Sequence, residues 1–234
     1  MAREKEKKPE GICCKHLILC EGKDDLGFLR CWLNSPELAD RKEFSTDFQV
    51  LIFNGTGNLP LFLDALKARS GYNMVESILV IRDADENADS AKAQVISAFH
   101  QAKMPIPKTP HEWQTDGHIK TGFLLFPSCD RDTENGALED LCLQILNDEK
   151  ANQVIAYSDG LINSLEKTEL RTFPHKNKAR LHTYFSVTDD FISLKVGEAA
   201  KAGAFDWSHS KLLPLRSFLE ELLEHPNKEE TTHA

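Results

Sequence analysis

The sequence predicts an α/β fold, a mostly parallel sheet flanked by helices, with a helical carboxyl-terminal extension. Three observations predict it. Short apolar runs alternate with segments of helical spacing through the first half of the chain. Two of those runs, His16-Leu17-Ile18-Leu19-Cys20-Glu21-Gly22-Lys23-Asp24-Asp25 and Ile78-Leu79-Val80-Ile81-Arg82-Asp83-Ala84-Asp85, end in carboxylates, with a glycine just after the first. Beyond residue 150 the strand signals stop and helical ones continue.

Taken in order, Leu17 to Cys20 is the first expected strand and Asp24 to Leu33 a helix with Leu26, Phe28, Leu29 and Trp32 as core candidates. Phe48 to Phe53 is a second strand, ending in the turn Asn54-Gly55-Thr56-Gly57-Asn58. A helix from Leu59 to Arg69 follows, with Pro60 tolerated in its first turn. Ile78 to Ile81 is nearly continuously apolar, as a parallel strand covered on both faces should be. Ser90 to Ala102 is a third helix whose apolar side holds Ala91, Val95, Ala98 and Phe99. Three prolines between Met104 and Pro110 then break the alternation. Two further strands are expected around Glu112 to Thr115 and Gly122 to Phe126, then a polar, acidic loop from Ser128 to Asn135. Gly136-Ala137-Leu138-Glu139-Asp140-Leu141 opens a helix reaching about Leu146. Helices are expected near Asn152 to Glu166, Lys176 to Phe185, Phe191 to Lys201 and Leu213 to Glu224. The domain reading is a disordered lead-in over 1–12, an α/β domain over 13–150, a helical extension over 151–225 packing on it, and a mobile tail over 226–234.

At 234 residues, 41% hydrophobic and 28% charged, the chain has the composition of an ordinary globular protein. It has no apolar run of about 18 residues, so no transmembrane helix and no membrane partner are expected. The six cysteines form no Cys-x-x-Cys pair, which argues against a zinc ribbon or a redox motif and for a reduced, cytoplasmic protein. The nine histidines show no His-x-x-x-His or His-Glu-x-x-His spacing, which argues against a zinc enzyme. A net charge of −9 argues against indiscriminate nucleic-acid binding, although local distribution outweighs the sum. The densest basic cluster away from the amino terminus is Arg171, His175, Lys176, Lys178 and Arg180.

Asp83 and Asp85 are two residues apart; if the strand persists through them, both side chains project to one side and suit a single divalent cation. Hard oxygen ligands favour magnesium, manganese or calcium over zinc. Glu21, ending a neighbouring strand, is then a further ligand or the proton-transfer group. Gly22 permits a sharp strand-to-helix turn and, with Lys23 beside it, close approach of a phosphate.

Taken together, Glu-Gly-Lys-Asp-Asp after one apolar strand and Asp-Ala-Asp after a later one resemble the toprim domain of topoisomerases, bacterial primases, a ribosomal-RNA-maturing ribonuclease and the OLD-family nucleases. Gly136 to Leu141 resembles a motif of a smaller toprim-related group of prokaryotic proteins. The resemblance covers roughly residues 15 to 145. It implies a toprim-like, Rossmann-like sheet, with Glu21 as metal ligand or general acid/base and Asp83 and Asp85 as magnesium ligands. It further implies that Asp25, Glu139 and Asp140 serve a second metal, and that a lysine near the carboxyl end, here Lys178 with Lys176 next, stabilises charge on the reacting phosphate. The implied activity is magnesium- or manganese-dependent phosphodiester cleavage of nucleic acid, in prokaryotic defence or repair. There is no tyrosine in a topoisomerase context, no primase zinc module and no Walker motif, so any ATPase is a separate partner chain. A non-catalytic, metal- or nucleotide-binding regulatory subunit is the alternative. Partners open on this reading are nucleic acid, a partner ATPase and further copies of the chain.

Several residues have plainer meanings. Asp24 sits where a first-turn carboxylate caps a helix, and Glu139 and Asp140 suit a helix amino terminus equally well. The Asn54 to Asn58 turn is expected to be a connection more than a phosphate cradle. Arg171 to Arg180 is expected as a solvated helix face, with a phosphate-tracking surface beside the acidic site as the competing meaning. Trp32, Trp113 and Trp207 are expected in core or rim packing.

Overall fold

A computed structural model describes residues 11–223. Residues 1–10 and 224–234, which hold most of the expected lead-in and all of the expected tail, lie outside the described residues. The fold is α/β, as the sequence predicts. Its sheet comprises β1 (His16–Cys20), β2 (Phe48–Ile52), β3 (Ser77–Asp83), β4 (Gln114–Asp116) and β5 (Ile119–Phe126), in the order β2-β1-β3-β5-β4. All neighbours are parallel except β4, which runs antiparallel to β5 through the Gly117-His118 turn. Cys20 lies opposite Ile81, and Asp83 opposite Phe126, so the carboxyl ends of β1, β3 and β5 open on one edge.

The strands bury both faces. Ile18, Cys20, Leu79, Ile81, Leu124 and Phe126 point into one core, and Leu17, Leu19, Ile78, Val80, Phe123 and Leu125 into the other. Helix α1 (Lys23–Leu33) covers the first face with Phe28, Leu29 and Trp32, joined by Phe44 of the short α2 (Glu43–Thr46). Helices α3 (Leu59–Leu66) and α4 (Ala88–Gln101) cover the second with Leu59, Leu63, Leu66, Ala91, Val95 and Phe99. The chain moves outward from β1 to β2, then reverses to β3, and the crossover helix changes face at that reversal, as a constant right-handed crossover requires. The reversal makes the gap between β1 and β3 the topological switch point, where ligands of such sheets bind.

The remaining helices, α5 (Leu138–Gln144), α6 (Ala151–Lys167), α7 (Lys176–Ser186), α8 (Val196–Lys201) and α9 (Leu213–Leu223), join the first core through Leu141, Ala151, Leu181, Phe185, Val196 and Phe218. Helices α1 and α8 approach closely: a Cβ on Gly27 would lie 2.6 Å from Gly197 Cα. The Gly197 N–H donates to Asp24 Oδ1 at 3.3 Å, so this first-turn carboxylate ties the two helices together. The tryptophans pack as expected: Trp32 is buried, Trp113 stacks on Phe218 at 4.3 Å and Trp207 meets Phe28 edge-on. The helix expected from Phe191 begins only at Val196, because Ser193 is left-handed (φ 65°) and interrupts it. No helix among the described residues is long and apolar enough to cross a membrane.

Candidate metal centre

Three chain segments leave the carboxyl edge of the sheet, and each delivers acidic groups. After β1, Glu21 is half-buried, and its backbone carbonyl accepts the Gly55 N–H at 3.3 Å from the turn that ends β2. Asp25, in the first turn of α1, is buried; its Oδ2 accepts the Gly22 N–H at 2.7 Å, closing the helix start. That bond engages the Gly22 amide, which the sequence reading offered to a phosphate.

After Ile81 the strand persists only to Asp83. The expectation that Asp83 and Asp85 share one side of a continuing strand is therefore corrected. Asp85 is left-handed (φ 53°) and exchanges backbone hydrogen bonds of 2.8 Å with Gly136 in both directions. Its Oδ2 turns back to Arg82 Nη2 at 3.0 Å. The Arg82 guanidinium is itself buried and held by Gln94 Oε1 at 2.7 Å. Asp83 goes the other way: its Oδ1 accepts the Leu138 N–H at the start of α5, at 2.9 Å. Its Oδ2 accepts no protein hydrogen bond among the described residues.

After β5, the loop returns to α5 through Gly136, whose φ of +139° and a would-be Cβ 3.0 Å from Asp140 Cγ both require glycine. Asn135 clips this loop to the one after β3, donating to the Glu86 carbonyl at 2.8 Å and accepting the Ala88 N–H at 2.9 Å. Asp140 Oδ2 accepts the Ala137 N–H at 2.9 Å, the same helix-start role that Asp25 has in α1. Its other oxygen accepts from the Asn177 amide. Glu139 pairs with Lys178 Nζ at 3.1 Å.

These groups line one cavity of about 440 Å³. Asp83, Asp85, Glu139 and Asp140 form its acidic wall; Phe173 and His175, just before α7, and Lys176, Lys178 and Arg180, in the first turns of that helix, line it as well. Lys176 also pairs with Glu166 at 2.7 Å. Of the residues singled out from sequence, the cavity thus gathers Asp83, Asp85, Glu139, Asp140, Lys176 and Lys178. Glu21 and Asp25 do not line it but are close enough to act on Asp83 electrostatically, while Gly22 and the exposed Lys23 stand outside its wall.

Burial pushes the Asp83 carboxyl up to about 8, helped by the negative charges of Asp25, Glu139 and Glu21 and opposed by the Leu138 N–H. Asp25 rises to about 6, again through burial, with Glu21 and Glu139 adding to it and the Gly22 N–H opposing. Glu21 is also raised by burial, which Arg82 partly offsets. Lys178 is raised chiefly by the Glu139 charge. The cluster carries more negative charge than its own cations neutralise.

The donor set fits a hard dication: all oxygen, partly desolvated, with Asp83 Oδ2 free of protein donors. Among the described residues no three His, Cys, Asp or Glu side chains close around a common point. An open site of this kind suits magnesium, which takes one or two carboxylates and fills the rest with water and phosphate. Sequence reasoning missed Arg82, Asn135, Phe173 and Asn177. Only Arg82 carried a signal, a charge inside an apolar strand run: Asn135 and Asn177 act through partners 37 or more residues away, and Phe173 is marked only by its place in the cavity wall.

The family model described as "Protein of unknown function (DUF3226)" matches residues 15–224. No curated protein and no solved structure matches the chain.

Proposed function

The chain belongs to the DUF3226 family, and on that premise we propose that it is a magnesium-dependent, toprim-like phosphodiesterase acting on nucleic acid. One observation carries the reading: Glu21, Asp25, Asp83 and Glu139 lie near the carboxyl ends of β1, β3 and β5, where burial and the neighbouring carboxylates raise the proton affinity of Asp25 and Asp83. A bound magnesium ion supplies Lewis acidity toward a phosphoryl oxygen. Asp83, through its free oxygen, and Glu139 are the residues of this chain that would hold it from the cavity wall. Glu21, raised by burial, takes the proton of the attacking water. As the new P–O bond forms, the bond to the leaving sugar oxygen breaks, and solvent protonates that oxygen. Lys178, beside Glu139, places positive charge against the phosphate. Action in prokaryotic defence or repair, and cooperation with a partner ATPase, belong to this proposal as well.

A non-catalytic, partner-dependent reading has one observation in its favour: Asp85 and Glu139 are already neutralised by Arg82 and Lys178. Cleavage of single-stranded DNA, duplex DNA and RNA oligonucleotides in magnesium separates the two. The phosphodiesterase reading expects wild-type cleavage that EDTA stops, and a loss of at least about 100-fold in Asp83→Ala and Glu21→Gln. Cleavage unchanged in both variants rejects the assignment; magnesium binding with no cleavage of any substrate supports the partner-dependent alternative.

A further inference from the structure

Phe173 lines the same cavity as Asp83 and Glu139, in the segment that joins α6 to α7. Its ring is half-buried, belongs to neither hydrophobic core and, among the described residues, pairs with no other aromatic ring. The neighbouring aromatics behave differently: Tyr184, Phe185 and Phe191 pack on one another at 6.0 to 6.4 Å. A large apolar ring held at the rim of a charged cavity gains little from folding alone, since its hydrophobic surface stays partly in water. Pro174 lines the cavity beside it, His175 and Lys176 follow at once in the chain and Arg180 one helical turn later, with Lys176 paired to Glu166 and Arg180 to Asp159. An aromatic face beside basic side chains, in the same cavity as the acidic groups, is the combination that tracks an unpaired strand.

We infer that Phe173 is a stacking platform for an unpaired nucleobase next to the scissile phosphate, and that the substrate is therefore single-stranded nucleic acid. The inference rests on the phosphodiesterase reading and deepens it. In a duplex both faces of each base are covered by neighbouring bases, so the Phe173 ring can be used only by a base already free or turned out of the stack. A volume of about 440 Å³ lies in the range of sites for single small ligands, which suits one nucleotide at a time.

The test uses the full chain and a fluorescein-labelled 12-nucleotide oligomer, single-stranded or annealed to its complement, with magnesium present. Binding is read by anisotropy, and cleavage by gel in parallel. Stacking contributes about 1–3 kcal/mol per base, so Phe173→Ala should weaken single-strand binding by roughly 5- to 150-fold. Phe173→Leu, which keeps an apolar side chain but removes the aromatic face, should be nearly as weak, whereas Phe173→Trp should bind like the wild type and show quenched indole emission on binding. The wild type should prefer the single strand to the duplex. Wild-type affinity in Phe173→Ala, full rescue by Phe173→Leu, or duplex binding as tight as single-strand binding each overturns this inference while leaving magnesium-dependent cleavage standing. A wild type that neither binds nor cleaves any oligonucleotide overturns the phosphodiesterase reading and this inference together.

Discussion

Asp83 is the residue in which fold and chemistry conflict most. One of its oxygens caps α5 through Leu138, while burial and three nearby carboxylates penalise its charge. The sign of the resulting pH dependence follows directly. Its folded-state value of about 8 exceeds the ordinary 3.8, so between those values the unfolded chain has released a proton that the folded chain keeps. The stability this group contributes is complete below about pH 4 and is lost as pH rises toward 8. Asp83→Asn retains an oxygen for the Leu138 N–H and removes the charge. In chelator-treated protein it should melt several degrees above the wild type at pH 8.5 and within about one degree of it at pH 4. Thermal melts at the two pH values check this; a difference independent of pH, or a wild type that gains stability toward pH 8.5, contradicts it. A site whose unliganded state is destabilised by its own function is what a cation-binding role leads one to expect.

At the scale of elements, β1 and β3 were the most legible parts of the chain. Leu17 to Cys20 and Ile78 to Ile81 are apolar at every position because helices cover both faces of the sheet, and such runs have few other meanings. Glu21 and Asp83 were legible with them, since each closes its strand. Asp85 was not: its left-handed turn depends on an exchange of hydrogen bonds with Gly136, more than fifty residues away, which no local pattern announces. The carboxylates of Asp25 and Asp140 proved to close helix starts through Gly22 and Ala137, a meaning anticipated for Asp140 and missed for Asp25. The later helices were legible as amphipathic segments, but the faces they would meet were not, because periodicity names the apolar side and not its partner. The α1–α8 contact is an example, resting on Gly27 and Gly197, which are 170 positions apart. Gly27→Ala gains roughly 0.5–1 kcal/mol in helix propensity but forces a methyl group onto the Gly197 backbone, which costs about 1–3 kcal/mol. The clash should win, lowering the melting temperature by a few degrees. A melting temperature at or above that of the wild type would show that α8 moves freely and that the contact is not a constraint on α1.

At the scale of the whole molecule, the sheet topology and the charge distribution agree. The direction of strand addition reverses between β1 and β3, and the acidic wall begins beside that point, at Asp83 where β3 ends. Within the net charge of −9, Lys176, Lys178 and Arg180 line the same cavity as the carboxylates of the sheet edge and are paired there with Glu166, Glu139 and Asp159. On the proposed function, a phosphate entering this cavity would meet cations as well as carboxylates, so a negative total need not oppose nucleic-acid binding. The central claim is that the ends of β1, β3 and β5 hold a hard dication. Anomalous diffraction from a manganese-soaked crystal tests it most directly. The account predicts a peak in the Asp83–Glu139 cavity, bonded to Asp83 Oδ2 at about 2 Å, with Glu21, Asp25 or Glu139 within reach of the ion or its waters. Saturating manganese with no peak in this cavity, or a peak held only by residues elsewhere, would contradict it.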